Sequence, residues 1–131
     1  MNTKPLFNYV KISRSINNQP QSKYEPMKKI CLLNDIPDHE AKTYPYDDNY
    51  SMLVYRDGDN AYAYINSCPH AGVPLEWNAD KFMSHDGLLL QCGTHGAQFE
   101  PPTGHCVHGP CKGAHLHKID IKLVDGVVYQ L

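Results

Sequence analysis

Two short runs hold the residues that could do chemistry: Cys68-Pro69-His70-Ala71-Gly72 and Cys92-Gly93-Thr94-His95-Gly96. Each offers one thiol and one imidazole a step or two apart, and each ends in glycine. Thiolates and imidazoles together suit transition metals, and two such pairs on converging loops would bring two sulfurs and two nitrogens to one point. Pro69 and Pro74 would stiffen the loops, while the glycines would let the backbone turn sharply and approach a bound group closely. A single cysteine or histidine is usually a core thiol or a surface imidazole. Four in this paired order ask for a metal.

The elements that must position these ligands are short strands. Ser51–Arg56 and Ala61–Asn66 flank Asp57-Gly58-Asp59-Asn60, a strong hairpin signal, and the second strand runs straight into Cys68. Leu88–Gln91 leads into Cys92 in the same way, and Gln98–Glu100 leaves His95 before a turn at Pro101-Pro102-Thr103-Gly104. Lys28–Leu33 reads as an earlier strand followed by a turn at Asn34–Asp38. Leu116–Val124 and Val127–Leu131, joined by Asp125-Gly126, read as a last hairpin. Only Ala79–Met83 offers a place for a short helical turn. Ten prolines, nine glycines and no sustained 3.6-residue period predict an all-β domain of small antiparallel sheets.

Two cysteines with two histidines are also a tetrahedral zinc set, which would make the chain a zinc-stabilised interaction module. Zinc fingers, however, space their ligands as Cys-x(2–4)-Cys and His-x(3–5)-His, and neither spacing occurs among these four residues. The two runs resemble instead the boxes Cys-x-His-x-Gly and Cys-x-x-His-Gly of the Rieske family, matching both without a gap. The resemblance continues through Phe99–Gly104 and Gly109-Pro110-Cys111, the segment that covers the cluster in Rieske ferredoxins, and spans roughly Met27 to Leu131.

The resemblance implies a Rieske-type fold in which two loops form a cluster-binding subdomain. It implies one 2Fe-2S cluster, with Cys68 and Cys92 on one iron and His70 and His95 on the other. It also implies a soluble one-electron carrier like the ferredoxin components of ring-hydroxylating oxygenases and the small subunit of nitrite reductase. Such a carrier serves reductase and oxygenase or reductase partners transiently, and is an accessory component, not itself an enzyme. The catalytic oxygenases of the family need a further mononuclear iron domain with a 2-His-1-carboxylate triad, for which 131 residues leave no room. High-potential members carry an extra cysteine in each box, where this chain has Val73 and Thr94. They also place a serine and a tyrosine after the second box, where it has Ala97 and Phe99.

Composition excludes other classes. The formal net charge is −2 and charged residues make up 20%, so no broad basic surface is available for nucleic acid. Trp77 and the tyrosines at 44, 46, 50, 55, 62 and 64 therefore read as packing for a β domain. No run approaches about 18 apolar residues, which predicts no membrane span and, by default, the cytoplasm. Four of the five cysteines fall between residues 68 and 111 among histidines, a metal-like distribution; Cys31 stands apart as a core thiol. Cys106 and Cys111 read as structural residues of the covering segment, reduced in a cytoplasmic setting, with a disulfide between them still open. His115 and His117 would share a strand face. Residues 1–26, polar and without a period, read as a flexible N-terminal extension ahead of a domain at 27–131; Met27 is a candidate translation start.

Overall fold

The computed structural model describes residues 8–16, 19–70, 72–76, 78 and 81–131, with side-chain surroundings from Met27 onward. The described chain is built from β-strands and one 3-10 turn, in agreement with the all-β expectation. In chain order the strands are β1 (Asn8–Ile16), β2 (Gln19–Leu32), β3 (Ala41–Pro45), β4 (Ser51–Asp57), β5 (Asn60–Ile65) and β6 (Leu90–Gln91). They continue as β7 (Gln98–Phe99), β8 (Cys106–His108), β9 (Lys118–Ile119), β10 (Ile121–Val124) and β11 (Val127–Gln130). They form three antiparallel sheets, ordered β1-β2-β11-β10, β3-β4-β5-β9 and β6-β7-β8.

The middle sheet separates two apolar cores. Strand β4 is buried on both faces because its side chains alternate: Leu53 and Tyr55 enter one core, Met52 and Val54 the other. Strand β5 repeats this with Tyr64 on one side and Ala63 on the other. The first core also holds Leu75, Phe82, Leu90, Phe99, Cys68 and Cys92, so the metal-box cysteines root in packed apolar side chains. Cys31 sits in the second core, where burial pushes its thiol up.

Both expected hairpins form with two-residue turns. Asp57 pairs with Asn60 around Gly58, whose φ is 60°. Val124 pairs with Val127 around Asp125 and Gly126, at φ 50° and 77°, the doubly left-handed turn that matches strand twist.

A helical turn lies at Leu33–Asp35. There the Asp35 carboxylate accepts from the Leu32 N–H at 3.1 Å and Ile36 N–H donates to Leu33 at 3.1 Å, a local closure that turn residues alone did not distinguish. Ala79, Asp80 and Trp77 lie outside the described residues. Where the sequence suggested a tail, β1 and the first part of β2 form an extended hairpin. That hairpin adjoins the rest through β2, whose Lys28–Leu32 stretch pairs with β11.

Candidate metal centre

The two boxes fold as near copies of one loop. In the first, Gly72 N–H donates to Cys68 O at 2.7 Å and Cys68 N–H donates to Val73 O at 2.8 Å. In the second, Gly96 N–H donates to Cys92 O at 2.9 Å and Cys92 N–H donates to Ala97 O at 2.8 Å. Each loop thus closes on its own cysteine and returns at glycine, with φ of 69° at Gly72 and 74° at Gly96. Nothing lies within 4 Å of a Cβ built at either position, so glycine is required there by backbone conformation and not by crowding.

The loops place their two ligand types at different depths. Cys68 and Cys92 are buried at 1% and 0% exposure, whereas His70 and His95 are exposed. The two imidazoles meet edge to face with ring centres 4.7 Å apart and planes at 85°. The two imidazoles are thus brought together, while each loop keeps its thiol in the first apolar core.

This division tests which metal the residues fit. One tetrahedral zinc would hold four ligand atoms within about 4 Å of one another. Among the described residues, the one group of three or more His, Cys, Asp or Glu with all ligand atoms mutually within 4.8 Å is Asp38, His39 and Asp57. The four box residues form no such single-ion group, and two thiols with two imidazoles are the donor set of a 2Fe-2S centre in which histidines serve one iron.

Three features hold the loops in place, and two of them, at Asn66 and Tyr64, were not read from the sequence. Asn66, at 3% exposure, accepts from Leu75 N–H at 2.8 Å through Oδ1 and donates from Nδ2 to Glu76 Oε1 at 2.8 Å and Ser51 Oγ at 3.1 Å. Leu75 O in turn accepts from Gly93 N–H at 2.9 Å, so Asn66 ties the end of β5 to one loop and, through it, to the other. An Asn two residues before the first box cysteine was the available signal. Second, the covering segment packs on the second loop at Gly109, where a Cβ would stand 2.8 Å from Ala97 Cα. Third, buried Tyr64 donates its hydroxyl to Pro101 O at 2.6 Å, anchoring the turn after the second box; burial pushes its phenol well up.

The remaining candidates lie around this centre. Cys106 and Cys111 are free thiols with Sγ atoms 3.1 Å apart. Burial, then neighbouring Cys106, push the Cys111 thiol up to about 12. His115 and His117 are exposed on either side of buried Leu116, outside regular strand. His115 pairs with His105, its Nε2 3.2 Å from His105 Nδ1, and not with His117. Of the tyrosines, Tyr55 and Tyr64 are buried and Tyr50 is 47% exposed.

Comparison with known proteins places this centre in a family. The model of the Rieske [2Fe-2S] domain matches residues 27–124, and the chain belongs to that family. It binds one 2Fe-2S cluster. Ferredoxin CarAc of Metapseudomonas resinovorans is 27% identical over 101 residues, covering 77% of this chain and 89% of that protein. The ferredoxin of carbazole 1,9a-dioxygenase from Nocardioides aromaticivorans IC177 has the same fold, with a TM-score of 0.63 at 23% identity over 79% of this chain and 95% of its own. A solved complex of reduced oxygenase and oxidized ferredoxin in carbazole 1,9a-dioxygenase matches with a TM-score of 0.65 at 26% identity, over 79% of this chain and 91% of the matched one. No helix among the described residues is long and apolar enough to cross a membrane.

Proposed function

We propose that this chain is a ferredoxin-type carrier of single electrons, with Cys68 and Cys92 on one iron of its cluster and His70 and His95 on the other. The observation that carries the reading is the meeting of two exposed imidazoles from loops whose thiols are buried. When bound, the cluster supplies a one-electron couple, and neutral imidazoles in place of two thiolates raise its potential above that of an all-cysteine centre. The chain's own part is to hold that couple at the right depth. The buried thiols would keep water from the iron they hold, and the exposed edges of His70 and His95 would offer a docked partner a short path.

The named oxygenase–ferredoxin complex supports an oxygenase as acceptor, and a reductase is the corresponding donor. Contact is transient, as a shuttle requires, and the cytoplasm is its setting. Residues 27–131 are the cluster domain.

Purified protein tests the reading. We expect a coloured protein with about two irons per chain and an absorption spectrum that changes on reduction by one electron. A colourless protein carrying one zinc per chain would overturn it.

A further inference from the structure

The segment over the cluster loops carries two thiols that the ligand set leaves unused. Cys106 opens β8 and is fully buried; Cys111 follows the Gly109-Pro110 turn and is partly exposed. Their Sγ atoms lie 3.1 Å apart, about 1 Å from the length of a disulfide bond. The backbone imposes this approach. Cys106 N–H donates to Ala114 O at 2.8 Å, Gly113 N–H to Cys106 O at 3.0 Å, and Ala114 N–H to Cys111 O at 2.8 Å. Separating the sulfurs by moving the backbone would break this ladder.

The pair also touches the metal centre. The Cys111 side chain packs against the core that holds Cys68, and Gly109, between the two thiols, packs against Ala97 of the second loop. Cys31 lies in the other core, away from this pair.

We propose that Cys106 and Cys111 form a reversible disulfide by exchange with small-molecule disulfides, and that this oxidation removes an S–H donor from the core that holds Cys68. The more exposed Cys111 thiol attacks a disulfide such as oxidised glutathione, releasing one glutathione and leaving a mixed disulfide. Cys106 then displaces the second glutathione. One S–S bond breaks and one forms, and two electrons and two protons pass from the protein pair to two glutathione molecules. Because both thiols are shielded, exchange is expected to be slow, on the scale of minutes to hours. While reduced, the Cys111 S–H can donate toward Cys68 and stabilise the reduced cluster; once oxidised it has no proton to donate, and the midpoint falls. This second effect rests on Cys68 being a ligand, whereas the disulfide itself does not.

The test equilibrates the coloured holoprotein in glutathione buffers of rising oxidised fraction, then precipitates it with acid and alkylates it with N-ethylmaleimide in denaturant. Reduced protein should take five adducts, and oxidised protein three, at Cys31, Cys68 and Cys92, with a peptide linking Cys106 to Cys111. Visible absorption should persist through the titration. Voltammetry should show a lower midpoint after oxidation, restored by dithiothreitol, and a Cys111→Ser variant, which keeps only the fully buried Cys106 of the pair, should show no dependence on the glutathione ratio. Five adducts at every ratio, glutathione retained on Cys111, or a Cys68–Cys111 link with bleaching would overturn the proposal. A linked pair with an unchanged midpoint would overturn the coupling to Cys68. A colourless, zinc-loaded protein that still formed the link would sink the electron-carrier reading and leave the disulfide standing.

Discussion

Replacing Asn66 by alanine should loosen both cluster loops at once, although Asn66 is not among the proposed ligands. The side chain is buried and fills three hydrogen-bonding roles, toward Leu75, Glu76 and Ser51. Alanine leaves the buried Leu75 N–H without its acceptor, which costs about 1–3 kcal/mol, and removes two side-chain bonds worth about 0.5–1.5 kcal/mol each. Glu76 is only half-buried and can turn to water, so the net loss is about 2–3 kcal/mol. Leu75 also receives Gly93 N–H, so the loss is felt in the second loop as well as the first. Iron loss makes unfolding irreversible, so the assay is kinetic: the rate at which visible absorption bleaches in the presence of a chelator. If opening of the clamped loops gates release, that rate should rise roughly 30- to 150-fold. Ser51→Ala, which removes only the 3.1 Å bond, should accelerate it by less than about tenfold. A rate for Asn66→Ala within about threefold of the parent would show that the clamp does not control access to the metal.

Four further outcomes are expected. His70→Ala or Cys92→Ser should give colourless, poorly folded protein because metal binding supplies folding free energy; full iron and an unaltered spectrum would remove that residue from the ligand set. Deletion of residues 1–26 should leave iron content and melting temperature intact, since the matched domain starts at Met27; a melting temperature lower by more than about 10 °C would place the hairpin in the folding unit. The midpoint potential should lie near the low end of the Rieske range, about −150 mV, since buried Ala97 and Phe99 offer no hydroxyl to the cluster. Ala97→Ser with Phe99→Tyr should raise it, and a midpoint above about +100 mV in the parent would refute the argument. Last, the Gly58 N–H holds the Asp38 carboxyl below its usual value of 3.8. Its stabilisation is therefore present above that value and lost as pH falls through the lower folded one, so the melting-temperature gap between parent and Asp38→Asn should shrink from about pH 6 to about pH 3. A constant gap would show that the charge is not what stabilises.

The metal boxes were legible because each is contiguous. Cys-x-His-x-Gly and Cys-x-x-His-Gly carry the proposed ligands and their left-handed glycines within five residues, and the loops close on themselves at Gly72 and Gly96. The hairpins around Gly58 and Asp125-Gly126 were legible for the same reason, since turn conformation and strand alternation are local properties. What the chain order hid is whatever depends on distant segments meeting. Strand β3 carries no strong signal of its own and exists because β4 offers it a partner; the stretch Leu116–Val124, which reads as one strand, is split so that β9 joins β5 and β10 joins β11. Asn66 is an unremarkable strand-end residue until Leu75 and Ser51 converge on it. Cys106 and Cys111 could be counted in the sequence, but their approach to each other, in a segment whose Gly109 presses against Ala97, appears only in the fold. Ligand chemistry is written in residue type and short spacing; depth, bracing and the neighbours of each sulfur come from long-range packing, which no local pattern encodes.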